Sequence, residues 1–239
     1  MAFRTPQPND LSVHSFDPGA CNMSSCSQTM SILPAHSTSA CASEISSMTL
    51  SQPIAPYLIV DVGCGKKKVE GAVGVDCLAL PGVDVIHDLT SFPYPFATSS
   101  VDEIHMNHVL EHLPDVVATM EELWRIAKPG AKIHIRVPHF TGILAWKDPT
   151  HRRSFTSESF GYFGENEYSF YTQARFDVVS VRLCYSSIQE RLGPFRKMLA
   201  KAVQCLIDWH PTFCERHLAY VLGGIDEIQA VLQAKKTSQ

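Results

Sequence analysis

Tyr57-Leu-Ile-Val-Asp-Val62, followed by Gly63-Cys-Gly65, is the stretch on which the reading of this chain turns. A short apolar run that ends on an acid and breaks into Gly-x-Gly has the pattern of a buried parallel strand feeding a tight turn. In open α/β sheets the carboxyl ends of such strands are where ligands bind. The two glycines let the backbone turn sharply and let another group approach without meeting a Cβ.

Outward from this strand the pattern repeats. Ala72 to Asp76 reads as a second strand, Val83 to Ile86 as a third ending in His87-Asp88-Leu89, and Val101 to Met106 as a fourth. Val116, Val117, Met120, Leu123, Trp124 and Ala127 then recur at helical spacing, with Glu121, Glu122 and Arg125 on the other face. Lys128-Pro129-Gly130 closes that helix with a cation near its negative pole and two breakers. Ala131 to Val137 and Phe176 to Cys184 alternate as half-buried strands. Pro194 opens a helix with apolar positions Phe195, Met198, Leu199, Ala202, Val203 and Leu206, and Asp226 to Lys235 reads as a last strand. Strands alternating with helices and short turns predict a mostly parallel α/β sheet.

The bulk properties fit one globular domain. The chain has 239 residues, 45% hydrophobic and 18% charged, with a formal net charge of −4. A surface of that balance lacks the basic patch that nucleic acid or anionic lipid requires. No apolar run is long enough to span a bilayer, and the N-terminus lacks the apolar stretch of a secretory signal. Arg4 is the only Lys or Arg in residues 1–51, too few for a transit peptide, so the cytoplasm is the default location. None of the eight cysteines forms a CxxC pair, and reduced thiols are expected. Residues 1–51 hold twelve serines and little apolar periodicity, which predicts a disordered extension before a domain over 52–239. Residues 187–223 read as a helical insertion or lid ahead of the last strand.

Three strand ends carry ligand-competent groups. Asp61-Val-Gly-Cys-Gly65 closes the first strand. Asp76 closes the second, and a carboxylate there can accept both hydroxyls of a ribose. Asp88 can accept an adenine amino proton while Leu89 covers the ring. Taken singly, each has a plain structural explanation as a turn or cap residue; three in series are harder to explain that way. Lys68 stands where a third glycine would complete GxGxxG, which counts against a pyrophosphate-binding dinucleotide site.

In combination, Asp61-Val-Gly-Cys-Gly65, Gly74-Val-Asp76, His87-Asp-Leu89, Val109-Leu-Glu-His-Leu113 and Lys128-Pro-Gly130 resemble the type-11 class I S-adenosylmethionine (SAM) dependent methyltransferases, over roughly Tyr57 to His139. The resemblance implies a Rossmann-like, mostly parallel seven-stranded sheet with the last strand antiparallel and helices on both faces. It implies SAM as cofactor, with Asp61 at the site, Gly63, Cys64 and Gly65 along its methionine part, Asp76 at the ribose, Asp88 and Leu89 at the adenine, and Asn107 at the methionine end. The chain departs from the pattern in the short Lys66-Lys67-Lys68 link, where the first helix is lost or reduced to a turn and a lysine is available for the SAM carboxylate. It departs again at Ala131, where the family usually has a second glycine.

Methyl transfer to oxygen or nitrogen also calls for a base. His108, Glu111, His112, His139, Asp148 and His151 cluster after the fourth and fifth strands, and His139, His151 and then His112 are the candidates. Phe155, Phe160, Tyr162 and Phe163 beside Arg152 and Arg153 suit a pocket for a planar or anionic acceptor; the bland alternative is a loop held by Asp148 and an arginine over a core of aromatics. His108 and His112 are spaced to chelate on a helix, but no third ligand is evident, so no metal is expected. The function these features favour is methyl transfer to a small-molecule, sugar- or lipid-linked acceptor. The competing readings are a non-catalytic SAM-binding partner, an NAD- or nucleotide-binding oxidoreductase, and a nucleic-acid methyltransferase; no base-handling motif follows the fourth strand to favour the last. Oligomeric state is not legible.

Overall fold

The computed structural model describes residues 56–185 and 193–236. The extension read as disordered, residues 1–51, lies outside the described residues, as does the start of the 187–223 segment.

Seven strands form one sheet: β1 (Ile59–Val62), β2 (Val73–Asp76), β3 (Val85–Ile86), β4 (Val101–Asn107), β5 (Ala127–Pro138), β6 (Phe176–Cys184) and β7 (Glu227–Ala234). Their order is β3-β2-β1-β4-β5-β7-β6. All neighbours are parallel except β7, which runs antiparallel to both β5 and β6. This is the Rossmann-like sheet with a reversed last strand that the resemblance implied. The order reverses at β1, so the ends of β1 and β4 flank the switch point at which ligands enter such sheets.

Local chemistry explains the elements. The apolar Val60, Val62, Val75, Ile104, Met106, Ile133, Ile135 and Val137 are buried and form the sheet's share of the core. Each such side chain contributes about 1.5–3 kcal/mol when taken fully from water. Helix α1 (Val116–Ile126) starts where Asp115 accepts the Ala118 N–H at 2.9 Å, and packs Met120, Leu123 and Ile126 inward. It stops at Ile126, one residue short of the Ala127 read as its last apolar position before Lys128-Pro129-Gly130. Ala127 is already extended and pairs with Val101, and the ladder shifts register before resuming at Glu103 and Lys132. Lys128 reaches Asp102 at 2.7 Å instead of closing the helix.

The first half of the sheet is thinly covered. The links β1–β2, β2–β3 and β3–β4 hold turns and no helix. Only the loss of the first was expected from the lysine-rich link. The β3–β4 link is held instead by α1. Glu122 accepts the Tyr94 N–H at 2.5 Å, and Arg125, paired to Glu122 at 2.6 Å, donates to the Tyr94 and Phe96 carbonyls. Ile86 of the edge strand is left 65% exposed.

After β5 come a short helix α2 (Leu144–Lys147), a 3₁₀ turn at Ser159–Phe163, and β6. Helix α3 (Pro194–Trp209) begins at Pro194 as read, but turns a different side inward. Ala200 and Ile207 are buried, while Phe195, Met198, Leu199 and Leu206 are exposed. Gln204 anchors α3 by donating to the Leu183 carbonyl and accepting the Tyr185 N–H. A π-helical turn, Cys214–Leu218, leads on toward β7. Among the described residues no helix is long and apolar enough to cross a membrane. Cys64, Cys77, Cys184, Cys205 and Cys214 are free thiols.

Candidate active site

The Gly63–Gly65 turn folds back onto the end of β2. Gly63 and Cys64 both donate to the Val75 carbonyl, at 2.7 and 3.1 Å. Gly65 N–H donates to Asp76 Oδ2 at 2.9 Å, and Leu78 N–H donates to Asp76 Oδ1 at 3.0 Å. The two glycines do different work. Both have positive φ, but a Cβ on Gly63 would fall 2.3 Å from Val109 Cγ2, whereas one on Gly65 would meet nothing within 4 Å. Close approach at Gly63 is therefore demanded by Val109, and the open face belongs to Gly65.

Asp61 lies beneath this turn, fully buried. Its Oδ2 accepts the Val69 N–H at 2.8 Å, and its Oδ1 has no hydrogen-bond partner. Burial pushes the Asp61 carboxyl up, against the pull of the Val69 N–H and the nearby His105. Asp88 is exposed, and its Oδ1 takes both bonds from Thr90, which hold the carboxyl low. Cys77 lies within the electrostatic reach of Asp76 and Asp88, and burial and then Asp76 raise its thiol. Leu89 sits in the core at 7% exposure, with its carbonyl accepting from the Tyr94 hydroxyl. Asn107 ends β4, half-buried. Lys68 pairs with Asp84 at 2.6 Å and packs against Gly74, so it is spoken for in this conformation.

These strand ends fit an adenosyl cofactor. A carboxylate offers about four acceptor sites. Asp76 spends two on backbone N–H groups and has about two left. The open space at Gly65 admits a ligand beside it, and the orphaned Asp61 Oδ1 is a buried acceptor awaiting a donor.

The histidines separate into three groups. His139 is 0% exposed, with Nε2 2.9 Å from Glu215 Oε1 and Nδ1 2.8 Å from Thr141 Oγ1 and 3.2 Å from the Thr141 N. Glu215 also accepts from the Ser157 N–H and hydroxyl. The first-ranked base thus has no free nitrogen and no opening to an acceptor; it ties the end of β5 to the segment before β7. His108, in the left-handed region at φ 54°, bridges Glu227 at 2.8 Å and Glu111 at 3.3 Å. Those two carboxylates raise its pKa to about 9, so it is a cation at neutral pH. The residues 108–113 form a turn and not a helix, so His108 and His112 do not chelate as an i,i+4 pair.

His112 and His151 form the third group, their rings edge to face at 4.6 Å. His151 Nδ1–H donates to the Ala145 carbonyl at 3.0 Å. His112 Nδ1 lies 2.9 Å from the Thr150 hydroxyl, which itself donates to Asp148 Oδ1 at 2.7 Å. Asp148 therefore pairs with Thr150 and not with an arginine, as the bland loop reading had it.

Beyond this pair lie two cavities that share Arg153 and Ser154. One, of about 330 Å³, is lined by Asp148, His151 and Arg152; the other, of about 620 Å³, by Val116, Phe155, Tyr162, Phe163 and Tyr168. Phe160 belongs to the core, stacked on Phe155, and Phe155 and Phe163 are core residues too, at 5% and 3% exposure, as the alternative reading had it, while also edging the larger cavity. The sequence reading missed Glu215, Glu227 and Thr141 as partners of histidines. Glu215 and Glu227 lie 76 and 119 residues from their histidines, and nothing local marks them; Thr141 is only two residues from His139.

Residues 77–135 match the type-11 family model described as "Methyltransferase domain". The match takes in Asp88, Asn107 and the Glu111-His112 turn, and begins just after Asp76. No curated protein matches. Similar solved structures include a SAM-dependent methyltransferase from Archaeoglobus fulgidus, 16% identical over 75% of this chain and 86% of that one with a TM-score of 0.49. Another is the YcgJ protein from Bacillus subtilis, 14% identical over 77% and 94% with a TM-score of 0.46. A third is phosphoethanolamine N-methyltransferase 2 from Haemonchus contortus in complex with S-adenosyl-L-methionine, 16% identical over 76% and 49% with a TM-score of 0.42. The strand order, the acidic strand ends beside an open glycine turn, and the family match agree with one another: over residues 77–135 this chain is similar to the class I SAM-dependent methyltransferases.

Proposed function

We propose that the chain transfers the methyl group of SAM to an oxygen or nitrogen of a small acceptor, free or carried on a sugar or lipid, that bears negative charge. In this reading Gly63, Cys64 and Gly65 run along the methionine part of the cofactor. Asp76 takes the ribose hydroxyls, and Asp88 Oδ2 takes the adenine amino group beside Leu89, which is almost wholly buried. Asp61 and Asn107 serve the methionine end. SAM supplies the activated methyl; the chain binds, aligns and shields the two reactants.

The observation that carries the acceptor class is the pair of cavities meeting at Arg153. Their combination of guanidinium groups with Phe155, Tyr162 and Tyr168 suits an acceptor with an anionic end and an apolar or planar body. Arg153 spends one N–H on the Pro114 carbonyl at 2.6 Å and keeps others for a ligand. Proton removal falls to the His112–His151 cluster, because His139 is enclosed.

The test is turnover of methyl-labelled SAM against matched panels of anionic and neutral small alcohols and amines, with RNA and DNA alongside. Transfer to anionic small acceptors is expected, with KM raised about 10- to 100-fold in Arg153→Ala, the loss of a hydrogen bond to a charged group. Label appearing in nucleic acid, or equal use of neutral acceptors, contradicts the acceptor assignment.

A further inference from the structure

We infer that Glu111, His112 and His151 form a site for one divalent transition-metal ion, zinc by preference. The three offer ligand atoms that all lie within 4.8 Å of one another. His151 Nε2 is 3.9 Å from Glu111 Oε1, too long for a hydrogen bond and near the about 3.4 Å that separates two ligand atoms on one tetrahedral zinc.

The independent mark of a ligand is Glu111. Its side chain is 0% exposed, and neither carboxylate oxygen has a hydrogen-bond partner. A buried carboxylate is costly until both its charge and its lone pairs are met; the His108 cation stands against one oxygen, but no hydrogen bond reaches either. His108 meets one side of it, through a contact at 3.3 Å that lacks hydrogen-bond geometry, while Glu227 shares that imidazole.

The imidazoles are set for the same purpose. A carbonyl only accepts, so His151 carries its proton on Nδ1 toward Ala145 and leaves Nε2 with a lone pair. A carboxylate likewise only accepts, so Thr150 gives its proton to Asp148 and His112 Nδ1–H donates to Thr150, freeing the other nitrogen of His112. The chain Asp148–Thr150–His112 is the arrangement that orients a metal-bound histidine from behind. Two imidazoles and one carboxylate favour zinc, cobalt, manganese or iron over magnesium and calcium. Three protein ligands leave a position open, and His151 lines the cavity that also holds Arg152 and Arg153.

A second triad, Glu103, His105 and His134, meets the same distance limit but lacks the mark. There Glu103 accepts from Tyr57 and His105, and His105 stacks on His134 at 4.7 Å. The sequence reading found no third ligand because it paired His108 with His112; His151 arrives from beyond β5.

Metal binding stands on this geometry alone. What the ion would do rests on the reaction proposed above: it would hold an acceptor oxygen and lower its pKa, replacing a bare imidazole as the means of removing the proton.

The experiment is titration of the chelator-treated full chain with zinc by calorimetry, and with cobalt by visible absorption, with a SAM titration and a thermal melt for every variant. One equivalent of metal per chain is expected, with a cobalt spectrum of nitrogen and oxygen ligation. Affinity should fall at least tenfold in His112→Ala, His151→Ala and Glu111→Gln, and stay unchanged in His105→Asn. The partly exposed His112 supplies a folded variant if Glu111→Gln melts. The proposal fails if folded His112→Ala and His151→Ala keep wild-type affinity, if His105→Asn removes the metal, or if a thiolate-to-cobalt band shows cysteine ligation. Failure of SAM to bind, with metal stoichiometry intact, would instead strike the methyltransferase reading.

Discussion

The two glycines of the first turn separate packing from ligand access. Gly63→Ala places a methyl 2.3 Å from Val109 in a positive-φ position, so strain and overpacking add. A loss of about 2–4 kcal/mol is expected in urea unfolding. Gly65→Ala meets no atom and should cost only the left-handed strain, about 1–2 kcal/mol. Equal losses would contradict this division. Glu215 gives a pH test at the same scale. Burial alone would raise its carboxyl, but the bonds from His139 and from Ser157 outweigh it and hold the pKa low. A carboxyl lowered on folding stabilises the protein above its unfolded value of about 4.3, and that stability is lost as pH falls through the folded value. Between about pH 6 and pH 3, the urea midpoint of the wild type should therefore fall more steeply than that of Glu215→Gln. Parallel curves would show that the His139–Glu215 tie carries no such linkage.

Element limits were legible even where packing was not. β6 was read at its observed bounds and α3 to begin at its opening Pro194, although β6 is an edge strand with only Phe176 and Leu183 buried and not the half-buried alternation read from its sequence. The end of α1 was misplaced because Ala127 is pulled into pairing with Val101, a long-range contact that local breakers do not announce. The side of α3 that packs was misjudged for a related reason: Phe195, Met198, Leu199 and Leu206 form an apolar stripe, yet Gln204 fixes the helix to β6 with Ala200 and Ile207 inward. Stability should follow the structure and not the stripe. Ile207→Ala is expected to cost about 2–5 kcal/mol, and Met198→Ala less than about 0.5 kcal/mol, by denaturant unfolding. The reverse order would mean that the stripe is buried in solution. The placement of Asp61, Asp76 and Asp88 at or just beyond the strand ends was legible because each follows an apolar run. The base was not, because the partners that enclose His139 come from Thr141 and from Glu215, 76 residues away.

For the molecule as a whole, the sheet order brings the β1, β2 and β4 ends together at the switch point, and the segments after β4 and β5 line the two cavities that share Arg153. The family match spans the second part of this arrangement, and the geometry of Asp61, Gly65 and Asp76 supplies the first. The central claim is that these strand ends cradle SAM. Calorimetry of SAM, ATP and NAD on the wild type and on Asp76→Ala tests it most directly. SAM should bind in clear preference to the other two, and Asp76→Ala should weaken it by about 1–3 kcal/mol through loss of a buried hydrogen-bond partner. SAM binding no tighter than ATP or NAD, or binding indifferent to Asp76, would contradict the account.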